Sequence, residues 1–289
     1  MNLLPSAVAA VVLCLAPKAL PASEAAAAPR TPPAFFAFDN GTGRGTLPPE
    51  AQAKMLKELG YAGIGYTGAT GIPEMLAALD RHGLKMFSTY VGATLGPEGS
   101  SFDPNLPEAV RALKGRETIL WLYITGNAPN GEDQAVEVIR QVADLAEPAG
   151  LRVALYPHVG FYVARVEDAL RLAEKADRKN VGASFNLCHW LKLDHQRNLQ
   201  PLLKASAGRL LLVSINGADG GETNAMGWDR LIQTLDRGSF DVGKFLRALA
   251  AHGYTGPVGL QCYAVPGDVR ENLQRSMAAW RKYTAQAAQ

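Results

Sequence analysis

Much of what this sequence can do is bounded by what it has little of. Three cysteines in 289 residues cannot build a disulfide framework. Charged residues make up only 19% of the chain and nearly balance, for a formal net charge of +2. No run of Lys or Arg gathers, so the footprint of a nucleic-acid binder or a membrane-surface protein is missing. Beyond the N-terminus no apolar run is long enough to cross a bilayer. What is present is 47% hydrophobic residues, the composition of a globular protein with a large core.

Residues 2–17 are mostly apolar, through Leu3, Val8, Val11, Val12, Leu13 and Leu15, with Lys18 behind them. The small residues Ala25 to Ala28 follow, then the Pro-rich stretch Pro29 to Pro33. That order is the order of a secretory signal cleaved near Ala26 to Ala28. The expected organisation is a signal peptide over 1–28, a linker over 29–33 and one folded domain over 34–285, exported to the periplasm or outside the cell. Cys14 leaves with the signal, and Cys188 and Cys262 remain as buried thiols. No stable membrane span is expected after its removal.

From Ala34 the chain alternates between strand-like and helix-like segments. Strands are expected at Ala34–Asp39, Tyr61–Thr67, Leu84–Tyr90, Thr118–Thr125, Leu151–His158, Val181–Asn186, Arg209–Asn216 and Pro257–Tyr263. A helix is expected after each. In Arg165–Asp177, for example, Val166, Ala169, Leu170 and Ala173 keep the i, i+3, i+4, i+7 spacing of one buried face. Eight strand–helix units in about 250 residues have the size of a single (β/α)8 TIM barrel. An open doubly wound sheet is the rival, but Asn40 to Gly45 lacks the G-x-G-x-x-G spacing that such sheets often carry. In a barrel the site lies at the C-terminal strand ends, here beneath two long loops, Val91–Leu106 and Gly217–Phe240. His158, Asn186, His189 and Trp190 all fall at such ends.

An ordered set of segments resembles the xylose isomerase-like barrels known as sugar phosphate isomerases/epimerases. It comprises Gly60–Gly65, Leu155–His158, Asn186–His189, Ser214–Gly217, Gly259–Tyr263 and Asn272–Ser276. The resemblance implies a TIM barrel acting on a small carbohydrate. It also implies one divalent metal, held by a glutamate, an aspartate, a histidine and a glutamate from the fifth to eighth strands. At the matching positions this chain has Tyr156, Asn186, Ser214 and Gln261, while a histidine three residues past the sixth-strand position is kept as His189. No Asp or Glu lies within a small register shift of any of the four. A neutral set of this kind is a poor cage for Mg²⁺ or Mn²⁺, so no metal cofactor is expected.

Proton transfer then falls to His158 and His189, which titrate near neutrality, with Asp39 at the first strand end as a further base. Asp39 serves equally well as a loop cap. Tyr66, Trp121, Tyr156, Trp190 and Tyr263 would stack on a sugar ring, or simply fill the core. Asn186, Asn216 and Gln261 would bond its hydroxyls. The zinc-dependent abasic-site endonucleases that share the fold are excluded by the missing ligand cluster and basic patch. Two readings stand: an exported isomerase, epimerase or lyase working through histidines without the family metal, or a non-catalytic barrel that binds a carbohydrate or a protein partner.

Overall fold

Strand pairing closes on itself. In the computed structural model, which describes residues 32–194 and 198–287, β1 (Phe35–Phe38) pairs in parallel with β2 (Gly63–Thr67) on one side and β9 (Val258–Leu260) on the other. From β2 the parallel ladder runs through β3 (Lys85–Gly96), β5 (Ile119–Gly126), β6 (Arg152–Leu155), β7 (Val181–Asn186) and β8 (Leu210–Ile215) back to β9. This is the expected eight-stranded barrel. The expected signal peptide lies outside the described residues.

The strands read as apolar on both faces because both faces are covered, as in other all-parallel sheets. All four residues of β1 are buried. Phe36 and Phe38 point inward, with Ile119, Trp121, Tyr156 and Leu212. Phe35 and Ala37 point outward to the helical layer, where Phe35 stacks on Trp280 with ring centroids 4.2 Å apart. Room for the two inward phenylalanines comes from glycine on both neighbouring strands. A Cβ at Gly65 would meet Phe38 Cδ1 at 2.4 Å, and one at Gly259 would meet Phe38 Cε2 at 2.4 Å.

The outer helices are α1 (Pro49–Leu59), α2 (Ile72–Arg81), α3 (Leu106–Ala112), α4 (Gly131–Ala146) and α5 (Val166–Ala176), then α6 (Leu187–Asp194), α7 (Leu199–Ser206), α8 (Trp228–Leu231), α9 (Val242–Ala251) and α10 (Val269–Ala287). Two segments depart from expectation. The segment after Tyr90 is not a loop: β3 continues to Gly96 and turns back as an antiparallel strand, β4 (Gly99–Phe102). Val91, Ala93 and Leu95 alternate as its buried face, and Gln134 of α4 clamps Gly96 by bonding both its N–H and its C=O. This hairpin leans on α4, and none of the described residues from Val91 to Phe102 lines the cavity described below. The sixth barrel strand stops at Asn186 as expected, but His189 and Trp190, expected at its end, lie in the helix α6 that follows it.

Candidate functional site

Inward-facing residues at the C-terminal strand ends enclose a cavity of about 590 Å³. Its aromatic floor is Phe38 stacked on Trp121 at 4.6 Å, with Tyr156 edge-on to Trp121 at 4.3 Å. The Trp121 indole N–H donates to Ser184 Oγ at 2.7 Å, which locks the ring in place. Asn40, Arg44, Thr67 and Gln261 supply polar groups around the wall, and Trp228 and Tyr263 stand at the exposed side.

The two histidines meet here. Their ring centroids are 3.9 Å apart, and His158 also stacks on Phe161 at 3.8 Å. One residue orients both. The Val159 carbonyl lies 2.7 Å from His158 Nδ1, so that nitrogen carries the proton and donates it. The Val159 N–H donates in turn to His189 Nδ1 at 3.4 Å, so that nitrogen carries none. Neutral His158 therefore presents a bare Nε2, with no partner among the described residues. Neutral His189 presents Nε2–H, 3.2 Å from the Tyr156 hydroxyl oxygen.

Burial keeps both rings neutral. It lowers the pKa of His158 from 6.5, with the bond to Val159 opposing, and it takes His189 well below 6.5, aided by the neighbouring His158. Burial likewise holds the Tyr156 hydroxyl well above 10, although the Asn186 side chain beside it opposes the shift. A Tyr156 oxygen that accepts from His189 keeps its own O–H free for another acceptor. The result is a bare base and a free acid facing one cavity.

The four positions assigned to metal ligands by family resemblance do converge, as inward residues of β6 to β9 and the residues just after them. Their chemistry does not fit a divalent cation. Asn186 Oδ1 accepts from Cys188 Sγ at 3.2 Å and Ser214 Oγ at 3.5 Å, and its buried amide nitrogen makes no well-formed hydrogen bond. An N–H donor at that point repels a cation. Gln261 Oε1 is taken by Asn40 Nδ2 and by the Tyr263 N–H at 3.2 Å. Among the described residues no three His, Cys, Asp or Glu side chains come together as a metal-holding group. Cys188 is buried and its pKa is pushed up to about 12, so no thiolate replaces the missing carboxylates.

Of the residues singled out from sequence, Trp121, Tyr156, His158, His189, Gln261 and Tyr263 line the cavity. The others do not. Asn186 is buried just behind Tyr156, as described. Asn216 is fully buried, and its amide donates to the carbonyls of Gly217 and Leu231, bracing the loop after β8. Trp190, one helical step beyond His189, points into the outer layer against Phe185 and bonds Asn198. Tyr66 faces outward on β2 and donates to the Thr70 carbonyl. Asp39 is buried, with its oxygens held by the Thr67 N–H at 2.9 Å and hydroxyl at 2.7 Å and with Arg44 3.8 Å away. Burial raises its pKa, against the Thr67 bonds. It holds the wall from behind instead of facing the cavity. Sequence reasoning missed Val159, whose contribution is main-chain, and Trp228, a tryptophan on a long loop already expected over the site.

Comparison with known proteins places this geometry. The family model described as xylose isomerase-like TIM barrel matches residues 53–283. A curated relative, 3-dehydroshikimate dehydratase of Pseudomonas aeruginosa, is 29% identical over 128 residues, which is 43% of this chain and only 20% of that protein. The solved IOLI protein with a bound zinc atom superposes with a TM-score of 0.69 at 15% identity, over 87% of this chain and 98% of that one. The 3-keto-D-glucoside 4-epimerase of E. coli gives 0.65 at 18% identity, over 86% and 99%. At these identities the structural likeness is one of fold. The family match, covering most of the barrel and all but the first of its strands, carries the conclusion that this chain belongs to the xylose isomerase-like TIM barrel family.

Proposed function

We propose that this protein is an exported, carbohydrate-active enzyme of the isomerase, epimerase or lyase kind, which moves protons with His158 and a Tyr156–His189 pair and uses no divalent metal. The observation that carries this reading is the opposed setting of the two histidines by Val159. Isomerisation, epimerisation beside a carbonyl and elimination of water share one first step. A base removes a proton from the carbon next to a carbonyl, the C–H electron pair forms a C=C bond, and the carbonyl π pair moves onto oxygen. His158 Nε2 is the base. The Tyr156 O–H donates to the oxygen where charge develops, the task a metal performs elsewhere, and His189 N–H steadies the phenol oxygen from behind. The later destination of the proton, or loss of a hydroxyl, then separates the three reactions.

The aromatic floor suits the apolar face of a sugar ring, with Asn40, Thr67 and Gln261 placed for its hydroxyls. A dehydratase activity is named for the Pseudomonas relative and an epimerase activity for the E. coli structure, and both reaction classes fall within this reading. Export rests on the order of residues at the N-terminus. The neutral ligand positions also favour a second reading, a barrel that binds a carbohydrate or a protein partner without turning anything over. Purified protein screened against aldoses, ketoses, 3-keto sugars and sugar acids, with metal content measured alongside, separates the two. The expected result is binding and turnover of at least one class with far less than one metal per chain. Binding without turnover selects the second reading, and one metal per chain at Tyr156, Asn186, Ser214 and Gln261 overturns the metal-free claim.

A further inference from the structure

The cavity does not end at its walls. Trp228 is 40% exposed and Tyr263 is 61% exposed, and both line its open side. They are two of the three large hydrophobic side chains that stand exposed among the described residues, the third being Leu47. Scattered exposed aromatics need no explanation, but two at the mouth of one cavity do.

Neither position is slack. Trp228 opens the short helix α8, which is tied down by the Arg230–Asp219 ion pair at 2.8 Å, by Asn216 on the Leu231 carbonyl and by a bridge between Gly217 and Gln233. The Lys192 ammonium sits 5.8 Å from the Trp228 ring centroid, with its charge fixed on the Met226 carbonyl, and so orients the indole. Tyr263 is held by its N–H on Gln261, and the next residue, Ala264, adopts a left-handed φ of 55°. A non-glycine residue in that conformation carries strain, which here accompanies a turn that projects Tyr263 outward. An oriented indole and a tyrosine projected from a set main chain, both facing water at one cavity mouth, make a stacking surface that is largely in place before anything binds. The platform adjoins the reacting groups, since the Trp228 and His189 ring centroids are 5.2 Å apart.

We infer that Trp228 and Tyr263 form a second subsite, and that the natural ligand is a glycoside: a sugar ring against Tyr156 and the histidines, carrying a flat substituent or second ring that stacks at the mouth. The inference rests on the carbohydrate reading above and extends it from a free sugar to a glycoside, whose anomeric carbon is locked as an acetal, so that the carbonyl of the reaction is then a ring ketone. The cavity volume lies in the range that accommodates a ligand larger than one ring.

The test is a set of binding titrations with D-glucose, D-galactose, D-xylose and their 3-keto forms, with the phenyl β-glycosides of each and their β-1,4-linked disaccharides. The readout is the ratio of glycoside to free-sugar affinity, in the wild type and in Trp228→Ala, Tyr263→Ala and Trp228→Phe. The expected wild-type ratio for the matching sugar is about tenfold, the upper end of what ring stacking contributes. It collapses toward one in Trp228→Ala, falls in Tyr263→Ala and is largely kept in Trp228→Phe. Phenyl glycosides and disaccharides separate an aryl substituent from a second sugar as the stacked group. Free sugars that bind with no gain for any glycoside, or a gain that survives Trp228→Ala, overturn the subsite while leaving the carbohydrate reading standing. Absence of all carbohydrate binding overturns both.

Discussion

The chemistry of the site depends on which ring nitrogens carry protons, and one valine peptide sets that at two histidines. With His158 Nδ1–H on the Val159 carbonyl, its Nε2 is a base only while the ring is neutral. Burial favours the neutral form and lowers its pKa from 6.5. The sign of the pH dependence follows: kcat/KM falls as pH drops through that lowered pKa, so the acid limb has its midpoint below 6.5. Tyr156, raised well above 10, adds no alkaline limb in the ordinary working range. A pH–rate profile checks both, and His158→Gln should reduce kcat by about 100-fold or more while leaving a folded protein. An acid limb that persists unchanged in His158→Gln would assign the base elsewhere. At this scale sequence reached side chains that line the cavity, because Tyr156 and Gln261 directly follow strands and His158 and His189 lie three residues past a strand end. It did not reach Val159, since main-chain groups carry no residue signature. It misplaced Trp190, because reading His189–Trp190 as the end of a strand ignores the helical turn that sends adjacent side chains to different layers.

Among the elements, β1 shows how sequence specifies the floor. Its two inward phenylalanines fit only because Gly65 on β2 and Gly259 on β9 present no Cβ. Gly65→Ala should therefore overpack the barrel interior, lowering stability by roughly 1–3 kcal/mol in denaturant titration. It should weaken ligand binding as well, since Phe38 stacks on the Trp121 floor. Stability within a few tenths of a kcal/mol of wild type would mean that the phenylalanines have room to move. Most elements were legible, because helix periodicity and short apolar runs are local signals. The hairpin after β3 was not, because its glycines and Pro97 masked the alternation of Val91, Ala93 and Leu95. Only the partner strand and the Gln134 clamp turn that alternation into a strand.

For the molecule as a whole, the barrel retains the family frame and fills its ligand positions with neutral groups. Charge is sparse in the site: among the described residues lining the cavity, Arg44 is the one Lys, Arg, Asp or Glu. On the proposed reading, hydrogen-bond donation from Tyr156 activates the carbonyl in place of a cation's field. The central claim is thus proton abstraction by His158 without a metal, and solvent deuterium incorporation reads it directly. The protein is dialysed against a chelator, its metal content is measured, and the ketoses and 3-keto sugars that bind are followed by proton NMR in D₂O. The account predicts exchange at the carbon beside the carbonyl that survives chelation and disappears in His158→Gln. Exchange that chelation abolishes and Mn²⁺ restores would contradict it.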